Sequence, residues 1–358
     1  MGEVKGFEKM EHLLADPDIS EIMINGPQKV FIEKKGIKTL TDVSFSSDDE
    51  VMKFVSGIFE ARGKRVDQDI PYGDVCLKDG TRVNAIIPPA SRFGVTVTIR
   101  KFSDDIQTTD DLLRLGTLNE KALAFLIACV KGRINMLFSG GTGVGKTTAL
   151  QALSHYFGAQ ERVIVIEDAA ELKLQQENIV SLETKTPDRD GRGGVSLRDL
   201  IRNALRMAPD RLVVGEIRGV ESLDMIQAMA TGHSGTIGIV HGNSPREVVS
   251  RLETMILMSG VNLPIMDVRK LIASTVQVIV HLERVPDGSR KVTHITEIRG
   301  LDHEQIFFND LFQYSFDKKD AQGKDIWGLM PVMRNYPLFF KQLDQAGLVT
   351  LKIFSREM

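Results

Sequence analysis

The stretch INMLFSGGTGVGKTT, residues 134–148, is an apolar run that breaks into glycines, reaches a Lys-Thr pair and leads into a helical pattern. Gly140 to Thr147 has the spacing G-x-x-x-x-G-K-T, and its flanks give that spacing meaning. A strand before it and a helix after it are the context a phosphate-binding loop needs. Glycines let successive backbone N–H groups curl around phosphate oxygens, and the helix N-terminus adds partial positive charge. Lys146 would then reach the β and γ phosphates, and the Thr147 hydroxyl would ligate Mg2+. The expected nucleotide contacts are Gly141, Thr142, Gly143, Val144, Gly145, Lys146, Thr147 and Thr148, with ATP and Mg2+ as cofactors.

Toward the C-terminus, strands alternate with helices, the signature of a mainly parallel sheet covered on both faces in an α/β fold. Strands are expected at 134–138, 163–167, 211–214, 235–240 and 275–282, and helices at 118–131, 146–157, 196–207, 219–230 and 245–258. Pro187 to Gly194 reads as a flexible loop, and the tail beyond about residue 306 as a helical addition. Toward the N-terminus, residues 1–102 read as a smaller α/β module. Its strand patterns at 21–25, 29–33, 74–77, 81–87 and 95–100 are punctuated by turn residues such as Asn25-Gly26-Pro27 and Asp79-Gly80. A helix at 48–62 would place Val51, Phe54, Val55, Ile58 and Phe59 on one face at i, i+3, i+4, i+7 and i+8. The polar segment SDDIQTTDD, residues 103–111, has no apolar period and predicts a linker over 103–117, where a hinge would let the module move against a domain spanning 118–358.

A phosphate-binding loop alone gives nucleotide binding, so hydrolysis requires groups that activate water. In a doubly wound sheet the C-terminal ends of the strands converge beside the loop. The strand VIVIE runs into Glu167-Asp168-Ala-Ala-Glu171, and LVV runs into Gly215-Glu216. Carboxylates there can hold Mg2+ through water or orient the attacking water. Glu216, Glu171 and Glu167 are the candidate acids for these roles, Glu167 among them as a metal-side candidate, whereas Asp168 can serve simply to cap the following turn. The strand lacks a terminal Asp, which points to indirect metal contact. His233 and His241 flank the strand TIGIV and fit two roles, satisfied structural histidines or neutral reporters of the γ-phosphate. Arg100 ends the N-terminal module, followed by Lys101, and Arg202 and Arg206 lie four apart before the Glu216 strand. Each is either a solvated arginine or a guanidinium delivered to phosphate charge across a domain or subunit boundary.

Composition excludes several classes. Lys plus Arg number 45 against 48 Asp plus Glu, so no global positive field holds nucleic acid. With one Trp and four Tyr there is little platform for base stacking. The two cysteines, Cys76 and Cys129, fit no zinc spacing and argue against a disulfide framework. The longest purely apolar run, Ala122 to Val130, is nine residues, short of a spanning helix, and MGEVKGFEKMEH has no signal-peptide core. A cytoplasmic protein is expected. The rival to a protein-working ATPase is a nucleic-acid translocating ATPase built on the same loop, and a third reading is a nucleotide-gated scaffold without turnover.

The stretches ISEIMINGP (19–27), DGTRVNAIIPP (79–89), VTIRKF (97–102), GGTGVGKTT, IEDAAEL (166–172), LRMAPDRLVVGEIRG (205–219), TGHSGTIGIVHGNSPREVVSRLETM (231–255) and DGSRKVTHITEI (287–298) together resemble the type II/IV secretion ATPase superfamily. The nearest branch is that of the Tad/Cpa (Flp pilus) ATPases. The resemblance spans roughly residues 7–300. It implies a homohexameric ring of PAS-like N-terminal modules and RecA-like motor domains, with ATP bound between them at a subunit boundary. It implies partners among inner-membrane platform proteins of a pilus or secretion system, peripheral membrane association through those proteins alone, and no nucleic acid. It also implies catalytic roles for Glu171 and Glu216, a His box at His233 and His241, a phosphate contact from Arg100 and a basic helix at Arg202 and Arg206. Ala208 and Gly242 depart from the branch's usual arginine and alanine, and neither is itself a candidate catalytic residue.

Overall fold

The computed structural model describes residues 8–354 except 35, 78, 102–107, 186, 188–189, 320–324 and 333–334. It divides into two compact units, residues 1–105 with Ala169–Glu171, and the remainder.

In the first unit, after a short helix α1 (Glu11–Ala15), come strands β1 (Ile19–Asn25), β2 (Val30–Lys34) and β3 (Ile37–Leu40). Helix α2 (Asp48–Glu60) and strands β4 (Tyr72–Cys76), β5 (Arg82–Ile86) and β6 (Thr96–Arg100) follow. The strands form one antiparallel sheet in the order β3-β2-β1-β6-β5-β4. Ser47 caps α2 by accepting the Glu50 N–H, and three acidic residues in the first turn complement the helix dipole. The predicted stripe Val51, Phe54, Val55, Ile58 and Phe59 is buried against Ile22, Ile24, Val83, Ala85, Val97 and Ile99. Each such side chain is worth about 1.5–3 kcal/mol of burial. β3 lacks the alternating pattern because all four of its residues are exposed, so nothing in its sequence marked it as a strand.

The second unit opens with α3 (Thr109–Arg114) and α4 (Glu120–Lys131). The α3 helix corrects part of the expected linker. Thr108 and Asp111 form a reciprocal capping box, so a polar run without apolar period is a helix start. Residues 103–107 of that linker lie outside the described residues. Next come β7 (Met136–Gly140), α5 (Lys146–Ser154), β8 (Val163–Glu167), β9 (Ile179–Glu183), α6 (Leu197–Ala204), β10 (Arg211–Ile217) and α7 (Glu221–Ala230). Then follow β11 (Ile237–His241), α8 (Pro245–Leu257), α9 (Ile265–Thr275), β12 (Val278–Arg284) and β13 (Arg290–Asp302), and finally β14 (Gln305–Lys319), β15 (Asp325–Pro331) and α10 (Phe340–Gln345). The sheet order is β15-β14-β13-β12-β7-β11-β10-β8-β9. Strands β9 to β12 in that order run parallel, and β13, β14 and β15 add an antiparallel edge. The tail is therefore largely strand before its short helix, which corrects the expected helical addition. Bulges in β13 and β14 interrupt the strict alternation that would have revealed them.

The central strands are buried on both sides, as β7 and β8 show at every residue. One face packs on α4, α5 and the C-terminal aromatics Phe312 and Phe354, the other on α6 to α9. Both cysteines are buried, and among the described residues neither forms a disulfide. Among the described residues no helix is long and apolar enough to cross a membrane.

Candidate active site

Parallel pairing fixes which residues meet at the C-terminal end of the sheet. Gly140, the last residue of β7, lies opposite His241 of β11 on one side and Leu282 of β12 on the other. Ile217 of β10 pairs with Val240, and Val214 with Ile166 of β8. Gly140, His241, Glu216 and Glu167 thus share one sheet edge.

The loop begins at Gly140 with φ +142°, where a Cβ would stand 2.2 Å from the Leu282 carbonyl oxygen, so no other residue fits. It ends at Gly145 with φ +94°, the N-cap of α5. At Gly143, φ +72°, an added Cβ would meet nothing within 4 Å, so the backbone conformation rather than crowding favours glycine there. The first-turn N–H groups of α5 have no i−4 carbonyl within the helix and are available to an anion. The Lys146 ammonium is buried and donates to the carbonyls of Gly140 and Gly141 at 3.1 and 2.6 Å, folded back over the loop it serves. These residues fit the polyphosphate of a nucleotide. Thr147 follows Lys146 in the first turn of α5.

Glu216 is held at both carboxylate oxygens. Its Oε1 accepts from His241 Nε2 at 2.8 Å, and its Oε2 accepts from the Arg218 guanidinium. Burial pushes its carboxyl up, but Arg218, with His241 and Lys146 nearby, outweighs that and leaves it below the ordinary carboxylate range. Burial, and after it the Lys146 ammonium, hold the His241 imidazole below its ordinary value against the pull of Glu216. At neutral pH His241 is therefore neutral, and as donor to an ionised carboxylate it carries its proton on Nε2. An ionised, oriented carboxylate beside a phosphate-binding loop can accept a proton from an attacking water.

Glu167 is buried and accepts the Leu172 N–H at 3.1 Å. Its side chain runs so close over Gly215 that a Cβ there would lie 2.6 Å from Glu167 Cγ. Glu171 groups with the first unit, where it pairs with Arg82. Arg100 ends β6, exposed and opposite Glu21 and Arg82 in the sheet. Arg202 does not stand alone on its helix. Together with Arg198 it is paired to the nearly buried Asp224 of α7, at 2.6 and 2.8 Å. The α6 helix ends at Ala204, so the exposed Arg206 lies beyond it rather than on one continuous face with Arg202. His233 sits in the α7–β11 turn, where its carbonyl accepts the Thr236 hydroxyl at 2.7 Å. At Gly242 a Cβ would stand 2.7 Å from Val248 Cγ2, a local reason for glycine in place of alanine.

Sequence reasoning missed Arg218 and Asp224. Arg218 sits two residues beyond Glu216, a spacing that brings alternate residues to one side of a strand, and that was the available signal. Asp224 gave none, because its partners lie more than 20 positions away on another helix.

Residues 3–311 match the family described as Type II/IV secretion system protein. The chain is 33% identical over 310 residues to the type IV secretion system protein PtlH of Bordetella pertussis, covering 78% of this chain and 89% of that protein. It is 28% identical over 293 residues to the conjugal transfer protein TrbB of Rhizobium radiobacter, covering 80% and 86%. Its fold is similar to that of the pilus retraction motor PilT with bound ADP, with a TM-score of 0.58 at 17% identity over 95% of this chain and 86% of that one. The expected architecture, a PAS-like N-terminal α/β module and a RecA-like P-loop domain, is thus the observed one. With that loop, its acids and the family match, the chain belongs to the type II/IV secretion system protein family and is an ATPase.

Proposed function

We propose that this ATPase is the motor of a Tad-type or other type IV-like pilus, or of protein secretion across the cell envelope. It works as a homohexamer in the cytoplasm at the inner membrane, on platform proteins embedded there. The observation that carries the reading is the meeting of Lys146, Glu216 and His241 at the end of the P-loop strand. A loop built only to bind nucleotide has no use for an ionised acid held by two donors beside it. The relatives' names, a type IV secretion protein and a conjugal transfer protein, support work on the envelope.

On this reading Lys146 exchanges its loop carbonyls for phosphate oxygens. Mg2+, at the Thr147 hydroxyl, would supply neutralisation of phosphate charge. Glu216 orients and deprotonates the attacking water, and His241 keeps its carboxylate aimed. Glu171 and Glu167 are the proposed supporting acids, with Glu167 directed to the metal through water. Arg100, Arg206 and His233 are proposed to act toward phosphate at a subunit boundary. Arg202 takes part only by releasing Asp224.

The test is steady-state phosphate release from MgATP by the purified chain, with its assembly followed by sedimentation. Turnover by a hexamer, abolished together with ATP binding in Lys146→Ala, is the expected outcome. ATP binding with no phosphate release would favour a scaffold, and salt-dependent binding of single-stranded DNA with stimulated turnover would favour a nucleic-acid motor.

A further inference from the structure

The stretch DGSRKV, at the turn between β12 and β13, has no part in the chemistry above, yet its geometry brings it to the phosphate-binding loop. β12 is the sheet neighbour of β7, with Leu282 opposite Gly140. Two residues on, Arg284 ends the strand and lies directly opposite Arg290, the first residue of β13. The turn between them is fixed: Val285 donates to the Ser289 carbonyl at 2.9 Å, Ser289 N–H donates to Asp287 Oδ1 at 2.7 Å, and Gly288 has φ +83°. The next residue, Lys291, ties the strand down by donating to the carbonyls of Leu115 and Gly116 at 3.1 and 2.8 Å. The exposed Arg290 side chain then passes beside the N-cap of α5, with Cδ 3.7 Å from the position a Cβ on Gly145 would occupy. Its guanidinium begins one bond further out.

Directly opposite each other in the strand pair, Arg284 and Arg290 bring two cationic side chains to one place, where an anion beside them gains from both. The same place adjoins the loop whose helix N-terminus and Lys146 already favour anions. We propose that Arg290, supported by Arg284, is a second cationic contact to the polyphosphate, supplied in cis from the β12–β13 hairpin. The forked guanidinium suits two phosphate oxygens at once, which a lysine cannot reproduce. The proposal rests on the nucleotide-binding reading of the loop, which the experiment separates from it.

ATP and ADP affinities of the full chain are measured by calorimetry at a series of salt concentrations, for wild type, Arg290→Gln, Arg284→Gln and Lys146→Ala, with circular dichroism on each. Arg290→Gln should weaken ATP and ADP by about tenfold and make binding less salt-dependent, without altering the preference for ATP over GTP. Arg284→Gln should lose a few-fold, and it carries the test if Arg290→Gln does not fold. Affinity within twofold of wild type and an unchanged salt dependence in both overturn the proposal. So does a loss confined to the ATP-over-GTP preference, which would place the arginine on the base. If wild type itself fails to bind ATP, the loop reading falls; if wild type binds, Lys146→Ala does not, and Arg290→Gln matches wild type, only the hairpin contact falls.

Discussion

At the start of β10 the Arg211 guanidinium is fully buried. Glu161 takes two of its hydrogens at 2.7 and 3.1 Å, the carbonyls of Gly235 and Val130 take two more at 3.0 and 3.1 Å, and the Phe157 ring lies 4.4 Å away. Toward the end of the same strand, Glu216 is only half-buried and shares its two oxygens between Arg218 and His241. Around the first pair every neighbour is a structural partner. Asn135 caps the adjacent chain turn by accepting the N–H groups of Gly235 and Thr236 and donating to the Thr275 carbonyl. Around the second pair the neighbours are a glycine loop, a lysine resting on carbonyls and an imidazole kept neutral. One end of the parallel strands is closed, and the other is held ready for a ligand. A buried guanidinium held by four hydrogen bonds fixes the fold, whereas a half-buried carboxylate with exchangeable partners can change state without unfolding anything.

The largest effect expected from that contrast is on stability. Arg211→Ala leaves the partly buried Glu161 carboxylate to Arg133 alone and takes the donor from two carbonyls, and should cost about 3 kcal/mol in chemical denaturation. Replacing Arg211 and Glu161 together by methionine should recover most of it. If Arg211→Ala unfolds at the wild-type midpoint, the two ends of β10 do not differ in the way described. A smaller effect is expected from Arg218→Ala, which should leave the fold intact and lower turnover at pH 8 by less than about tenfold. Its signature is in the pH profile. Arg218 holds the Glu216 carboxyl below its usual range, so removing the guanidinium raises it, and the acid limb of the turnover profile should move to higher pH. For stability the sign is the same. A carboxyl lowered in the fold contributes above its unfolded value and loses that contribution as pH falls through the folded one, so wild type should lose more stability on acidification than the variant does. An unmoved acid limb would assign the titrating base to another residue.

Much of this molecule is legible in its sequence where the physics is local. The loop of Gly140–Thr147, the buried runs of β7 and β8 and the stripe on α2 follow from spacing alone. So does the place of Glu216 near that loop, because the C-terminal ends of parallel strands converge there. What escaped reading depends on partners distant in sequence. Arg211 opened a strand like any exposed residue until the structure placed Glu161 50 positions away against it. Arg202 and Glu171 resembled free functional groups, and only the fold supplied Asp224 and Arg82. The antiparallel edge was hidden by its bulges, and α3 by a capping box whose polar residues imitate a linker.

The division of labour along β10 is tested most directly by Glu216→Gln, with hydrolysis, ATP affinity and stability measured on one preparation. The amide keeps the shape of the side chain and its place beside His241 and Arg218, and loses the charge that accepts a proton. Hydrolysis should fall by about a hundredfold or more, the scale of a lost general base, while ATP affinity and the unfolding midpoint stay close to wild type. Undiminished hydrolysis, or a loss of stability as large as that of Arg211→Ala, would contradict the account.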